Sequence, residues 1–212
     1  MREFTRNNQP HFQSRETSYS LTFILFDAVT GPELETLRNE LNEELRDIEH
    51  DLMDRKELRK AEARSRNFKR LEGLLHDKRE QSHLLADADA AIAVSEYFKK
   101  FNGELYQLDC HSVMSNHAHA MLNLSPQLAL YDGDKLPWPL DRLIGRLKGG
   151  SAHAANKALG RTGTLWMRGY HDRYIRSADH FTYAHDYIVR NPEKAGLVED
   201  WRKHAGTWSR FK

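Results

Sequence analysis

The stretch ELYQLDCHSVMSNHAHAMLNL, residues 104–124, decides the fold because it contains two strand patterns separated by a short turn. Apolar and polar side chains alternate from residue 104 to 114, which is typical of a half-buried strand. A second strand pattern runs from His117 to Leu124, after Ser115 and Asn116. The alternation predicts that Tyr106, Leu108 and Cys110 share one face of the first of these strands.

Outside this stretch, the chain contains further strand and helix patterns that complete a recognisable order. They are a strand at 19–26, a helix at 87–100, a loop at 125–140, a helix at 140–159 that Lys148-Gly149-Gly150-Ser151 interrupts, a strand at 166–175, and a helix that Ser177 caps and Pro192 ends near Asn191. The order is strand, helices, strand, strand, helix, strand, helix. It predicts an α+β fold of the ferredoxin-like split βαβ type, with an antiparallel sheet and an appended C-terminal helix.

Residues 33–83 form a charged insertion after the first strand. Leucine and isoleucine recur there at steps of three and four residues, beginning at Leu34 and Leu37, as in an amphipathic helix. We predict a helical hairpin or long arm inserted into one domain that spans residues 1–212. The apolar stripe is short for a coiled coil, so packing on the domain is favoured over dimerisation through this arm.

Composition excludes several classes of protein. The chain has 212 residues, of which 30% are charged, and it contains no apolar run long enough to span a membrane. Its N-terminus lacks the apolar stretch of a signal peptide, so we expect a cytoplasmic protein. A single cysteine, Cys110, excludes an intramolecular disulfide framework and a cysteine-rich zinc module.

The formal net charge of +1 conceals a strong asymmetry along the chain. Residues 142–212 contain 14 Lys and Arg against 6 Asp and Glu, whereas residues 84–141 contain 3 against 8. A basic C-terminal third points to a polyanionic partner, although basic residues also cluster on ordinary solvated surfaces.

Two groups of residues could carry chemistry. His117 and His119 flank Ala118 on a predicted strand, so both imidazoles lie on one face and can bind one divalent ion, although a lone His-x-His pair often has no such role. Tyr187 and Asn191 lie four residues apart on the predicted last helix, where they could present a nucleophile and an oxygen ligand. Tyr187 could equally be a packing aromatic.

Three motifs together resemble a known family. The run from Val113 to His119, VMSNHAH, resembles the VMPNHxH signature of single-tyrosine transposases of the His-hydrophobe-His nuclease superfamily. The segments 165–176, LWMRGYHDRYIR, and 187–198, YIVRNPEKAGLV, resemble the REP-associated tyrosine transposases in particular. The resemblance covers about residues 19–208, and it departs from the family at Ser115, where proline is usual.

The resemblance implies a transposase-type catalytic domain that cuts and rejoins single-stranded DNA beside palindromic hairpin repeats through a 5′-phosphotyrosine intermediate. It implies that Tyr187 is the nucleophile and that His117, His119 and Asn191 hold a metal ion, either Mg²⁺ or Mn²⁺. The implied partners are single-stranded and hairpin DNA, which would associate the protein with the nucleoid. Relatives include monomers and homodimers, and both states remain open here.

Basic residues near the motifs are the candidates for binding DNA phosphates. They are Arg142, Arg146, Lys148, Arg168, Arg173, Arg176 and Arg190. Trp166, Tyr170 and Tyr174 are interleaved with them and are candidates for base stacking, although alternating aromatics also mark a core face.

Two other functions compete with a transposase. A domesticated regulatory protein would bind hairpin DNA without transposing it. A metallohydrolase would use His117 and His119 with a water nucleophile and form no covalent intermediate.

Overall fold

The computed structural model describes residues 2–6, 9–13, 18–51, 55–76, 82–130 and 138–211, with side chains from residue 18 onward except those of 128–130. The chain divides into two compact units. The first combines residues 1–26 with 82–212, and the second consists of residues 27–81.

The first unit contains a five-stranded antiparallel sheet. Its strands are β3 (Ser18–Ile24), β4 (Gln107–Val113), β5 (His117–Asn123), β6 (His171–Tyr174) and β7 (Thr207–Ser209), in the spatial order β6-β3-β5-β4-β7. The four predicted strands thus adopt the split βαβ arrangement, in which β5 lies between β3 and β4. The predicted α+β class is confirmed. The sequence analysis did not predict β7, nor the separate hairpin of β1 (Arg2–Arg6) and β2 (Gln9–Gln13).

Helices cover both faces of this sheet. On one face, α3 (Ala88–Lys99) packs on β4 and against α5 (Leu140–Ala158). On the other face, α6 (Ala178–Val189) packs on β4 and β5, where Ala184 and Ile188 contact Cys110 and Met121. We call these the α3 face and the α6 face. Ser177 caps α6 as predicted, since its side chain accepts a hydrogen bond from the His180 backbone N–H.

A bulge in β4 overturns the prediction that Leu108 and Cys110 share one face. The register shifts between them, so that Leu108 pairs with Leu122 and Cys110 pairs with Met121. Because paired residues point to the same side of a sheet, Leu108 lies on the α3 face and Cys110 on the α6 face.

The fourth predicted strand, 166–175, is shorter than expected. Regular pairing in β6 covers only His171–Tyr174, and Trp166 forms an isolated bridge to Leu25. Gly169 separates the two, and its φ of +80° interrupts the extended backbone.

Two further predictions are corrected in the region before β6. Part of the predicted loop 125–140 is helical, since α4 (Ser125–Leu130) begins there and Pro126 lies in its first turn, where a proline is tolerated. Residues 131–137 of that loop lie outside the described residues. The glycines of Lys148-Gly149-Gly150-Ser151 do not interrupt α5. Gly150 instead serves packing, since a Cβ atom there would overlap the ring of Tyr97.

The second unit is a helical hairpin, as predicted for the insertion. It consists of α1 (Gly31–His50) and α2 (Lys56–His76). Thr30 and Glu33 form a capping box at the start of α1. Ion pairs join the two helices, Arg66 with Glu44 and Arg70 with Glu40 among them.

No helix among the described residues is both long and apolar enough to cross a membrane.

Candidate functional site

His117 and His119 lie side by side on β5, in the middle of the sheet. Their ring centroids are 4.7 Å apart, and each residue is only 1% exposed. Both point to the α6 face together with Met121, while Ala118 and Ala120 point to the α3 face, as strand geometry predicts.

Both rings are oriented by a hydrogen bond at Nδ1. Nδ1 of His117 donates to the Asn116 side-chain oxygen at 2.7 Å, and a 2.9 Å hydrogen bond joins Nδ1 of His119 to the hydroxyl of Thr22. The Asn116 oxygen can only accept, so Nδ1 of His117 carries the proton and its Nε2 carries the lone pair that a metal ion requires. His119 presents its Nε2 lone pair in the same way in the tautomer whose Nδ1 donates to the Thr22 hydroxyl. The pair therefore fits a divalent metal site.

Thr22 and Asn116 were not among the site residues predicted from the sequence. Thr22 is directly opposite His119 in the pairing of β3 with β5, so strand register would identify it once the pairing is known. Asn116 immediately precedes the histidine pair, and its side chain is buried at 2% exposure.

Tyr187 lies next to His119. The centroid of the tyrosine ring is 5.8 Å from that of the imidazole, in an edge-to-face arrangement. The packing of Ala184 and Ile188 on the sheet fixes this face of α6, and half-buried Tyr187 packs beside the same apolar cluster. The ammonium of Lys194 lies over the tyrosine ring, 4.4 Å from its centroid.

Asn191 is close in sequence to Tyr187 but does not lie on the same helix, which corrects the prediction of one continuous helix. α6 ends at Val189, and Asn191 begins a separate short helix, α7 (Asn191–Lys194), in which Pro192 occupies the first turn. The Asn191 side chain is fully buried, and neither of its amide atoms has a hydrogen-bond partner in the described part of the chain. A buried amide in this condition suits the role of an oxygen ligand.

The candidate DNA-binding residues lie on more than one side of the first unit. Arg142 and Arg146 are on α5, which belongs to the α3 face, and their guanidinium groups stack on the ring of Trp138 at 4.3 and 5.0 Å. Lys148 is half-buried, and its ammonium donates hydrogen bonds to the carbonyl oxygens of Met167, at 2.5 Å, and Gly169. In this structure Lys148 therefore braces the segment before β6.

Arg168, Arg173, Arg176 and Arg190 have exposed side chains near β6 and α6. Burial lowers the pKa of His180, and the charges of Arg173 and Arg176 lower it further. Arg190 forms a loose ion pair with Glu193 at 3.8 Å.

The three aromatics considered for base stacking serve mainly as core. Trp166 is 5% exposed and donates a hydrogen bond from its indole N–H to Ser151, and Tyr170 is 8% exposed. Half-buried Tyr174 packs edge-on against Tyr19.

No family model and no curated protein sequence matches this chain. Among solved structures, it is similar to that of a REP-associated tyrosine transposase bound to a REP hairpin. The identity is 15% and the TM-score 0.47, over 95% of this chain and 78% of that chain.

Proposed function

We propose that this protein is a metal-dependent, sequence-specific endonuclease and strand transferase for single-stranded DNA beside hairpin repeats. The observation that carries the proposal is the position of Tyr187, whose ring lies 5.8 Å from that of His119 in a histidine pair suited to a metal ion. Separate sequence motifs contribute the histidines and the tyrosine, and both motifs resemble those of one transposase family.

The phenol oxygen of Tyr187 is the nucleophile of the proposed reaction. It loses its proton to solvent and attacks the scissile phosphorus while the bond from phosphorus to the 3′ oxygen breaks. The departing oxygen takes up a proton and becomes a 3′-hydroxyl, and the 5′ phosphate remains attached to the tyrosine. A later attack of a 3′-hydroxyl on this diester rejoins DNA and needs no external energy source, because the number of phosphodiester bonds is conserved.

His117 and His119 would hold the metal through Nε2, and Asn191 is the proposed oxygen ligand. Mg²⁺ or Mn²⁺, when bound, would supply the positive charge that neutralises the phosphate and favours in-line displacement. The protein's own contribution is to fix both imidazoles through Asn116 and Thr22 and to hold the tyrosine beside them.

Exposed arginines on or beside β6 and α6 suit a DNA substrate. We propose that Arg168, Arg173, Arg176 and Arg190 bind phosphates near the site. Arg142 and Arg146 lie on α5 and would make a separate DNA contact, which suits a hairpin stem better than the cleaved strand. Lys148 would support the segment that carries Arg168, through its hydrogen bonds to Met167 and Gly169. The protein would act in the cytoplasm, at the nucleoid.

The proposal is tested by incubating the purified protein with labelled single-stranded DNA from the flanks of its own gene and Mn²⁺. A denaturant-resistant adduct is expected. Tyr187→Phe should abolish it while retaining hairpin binding, because only the hydroxyl is removed. Tyr183→Phe is the matched control, since Tyr183 lies one turn earlier on α6 and is 60% exposed.

Three outcomes would contradict the proposal. An adduct that survives in Tyr187→Phe would assign the nucleophile elsewhere. Cleavage by the wild type without any adduct would favour a metallohydrolase. Tight hairpin binding without cleavage or adduct would favour a regulatory DNA-binding protein.

A further inference from the structure

Lys194 holds a positive charge against the proposed nucleophile. Its ammonium lies 4.4 Å from the centroid of the Tyr187 ring, in the geometry of a cation–π contact. The backbone that carries it is well fixed, since the Lys194 N–H donates to the carbonyl oxygen of Arg190 at 3.0 Å and the preceding Asn191 and Pro192 are buried. The lysine side chain itself is exposed, so the charge is accessible to a ligand.

This ammonium has no acidic partner among the residues that the structure describes. The adjacent carboxylate, Glu193, is occupied elsewhere. One of its oxygens accepts the Trp201 backbone N–H at 2.9 Å, and the other faces Arg190 at 3.8 Å. In contrast, Lys60 and Lys99 form ion pairs with neighbouring glutamates. Lys194 therefore places beside the proposed nucleophile a positive charge that no carboxylate among the described residues pairs with.

We propose that Lys194 binds a nonbridging oxygen of the scissile phosphate and neutralises charge that develops there as Tyr187 attacks. This inference rests on the proposed function. A phosphorus atom within bonding distance of the tyrosine oxygen brings its anionic oxygens close to a cation that already covers the tyrosine ring. A cation placed before the reaction stabilises the transition state without a reorganisation cost.

The competing explanation is that Lys194 only packs on the ring and orients it. The two roles differ in what they require of the lysine. Packing and orientation require the alkyl stem, whereas phosphate binding requires the positive charge and a negatively charged substrate.

The experiment measures single-turnover adduct formation by the full chain with saturating DNA and Mn²⁺. Lys194→Gln should lower the rate about 100-fold on ordinary DNA, as for loss of one preorganised charge-stabilising group. Lys194→Arg should recover most of this loss because it restores the charge. Lys194→Met should not, although it keeps an apolar stem. If Lys194→Met recovered the rate and Lys194→Arg did not, the inference would be overturned in favour of packing.

A second readout uses DNA with a neutral methylphosphonate at the scissile position. Removing the negative charge from the substrate should remove the benefit of the lysine, so the wild type and Lys194→Gln should react at similar rates. An equal loss on charged and neutral substrates would overturn the inference. If the neutral substrate does not react at all, the rates of Lys194→Arg and Lys194→Met on ordinary DNA decide between phosphate binding and packing.

Lys203→Gln is the matched control for net charge. Lys203 is also an exposed lysine of the C-terminal region, but it belongs to the short turn Trp201–Lys203. We expect this variant to react at the wild-type rate, and a loss equal to that of Lys194→Gln would overturn the inference as a bulk charge effect. Thermal unfolding of each variant separates misfolding from a lost contact.

The design also separates this inference from the proposed function. If the wild type forms no adduct, both fail together. If it forms an adduct that requires Tyr187 but Lys194→Gln reacts normally, only the role of Lys194 fails.

Discussion

The two faces of the sheet both bury histidine, but they surround it with different partners. His111 lies on β4 and points to the α3 face, whereas His117 and His119 lie on the neighbouring β5 and point to the α6 face. All three are at most 1% exposed. Burial alone therefore does not distinguish the three histidines, and the distinction must come from the groups that contact them.

His111 is surrounded by groups that fix a neutral ring. A 2.8 Å hydrogen bond joins its Nε2 to Ser95, and Trp208 stacks on the ring at 6.0 Å. Burial, with a smaller effect of the Lys99 charge, lowers its pKa to about 3. Its Nδ1 has no hydrogen-bond partner among the described residues, so protonation there would bury an unsatisfied N–H. His111 is a core residue.

His117 and His119 are instead held at Nδ1 and have the side chain of Tyr187 beside them. A hydrogen bond at Nδ1 leaves Nε2 for another ligand, and the neighbouring aromatic carries a hydroxyl. The comparison teaches that equally buried histidines differ in which nitrogen the protein occupies and in what lies against the ring.

The largest expected difference between the faces concerns metal-dependent activity. His119→Gln should lower adduct formation about 1000-fold, because loss of a ligand removes several kcal/mol of electrostatic stabilisation. His111→Gln should keep both activity and Mn²⁺ binding, even if it unfolds at a lower temperature. Adduct assays and calorimetric titration with Mn²⁺ measure the two properties separately. Unchanged Mn²⁺ affinity in His119→Gln would reject the metal site.

A smaller difference is expected when the hydroxyl partner of each histidine is removed. Thr22→Val should weaken Mn²⁺ binding about 10- to 100-fold, the usual effect of losing a group that orients a ligand. Thr22→Ser is the matched control and should bind normally.

Ser95→Ala is the equivalent change on the α3 face. It should leave Mn²⁺ binding unchanged and lower the free energy of unfolding by about 1–3 kcal/mol, since a buried ring nitrogen loses its partner. The same change in Mn²⁺ affinity from both variants would mean that the two faces do not differ as argued.

The sequence correctly predicted that His117 and His119 share one face of the sheet, because strand alternation needs no tertiary information. His117, Ala118 and His119 alternate between faces as expected, and the capping residue Ser177 marks the start of α6. The bulge after Leu108 could not be predicted in the same way. Strand alternation has no signal for one extra residue, and that residue decides which face the following side chains occupy.

The residues that contact the site could not be predicted from the sequence either, for a related reason. Thr22 and Lys194 become significant only through contacts across strands or between helices, His119 with Thr22 and Tyr187 with Lys194. No local pattern distinguishes this threonine or this lysine from the others in the chain. The roles assigned to His117, His119, Tyr187 and Asn191 stay predictions.

The smallest expected effect, per unit of pH, is a difference in how stability depends on pH. In the folded chain the pKa of His111 is about 3, against 6.5 for an unperturbed histidine. As the pH falls from about 6.5 towards 3, the unfolded chain therefore binds a proton that the folded chain does not, and stability is lost at about 1.4 kcal/mol per pH unit from this group. His111→Gln cannot take up that proton, so its unfolding free energy should fall less steeply.

Urea unfolding of both proteins at pH 7, 6, 5 and 4.5 measures the two slopes. His180 and His204 also have lowered pKa values but are present in both proteins, so their contribution cancels in the comparison. Parallel slopes would show that His111 is protonated in the folded chain, and the contrast between the two faces would then have to be abandoned.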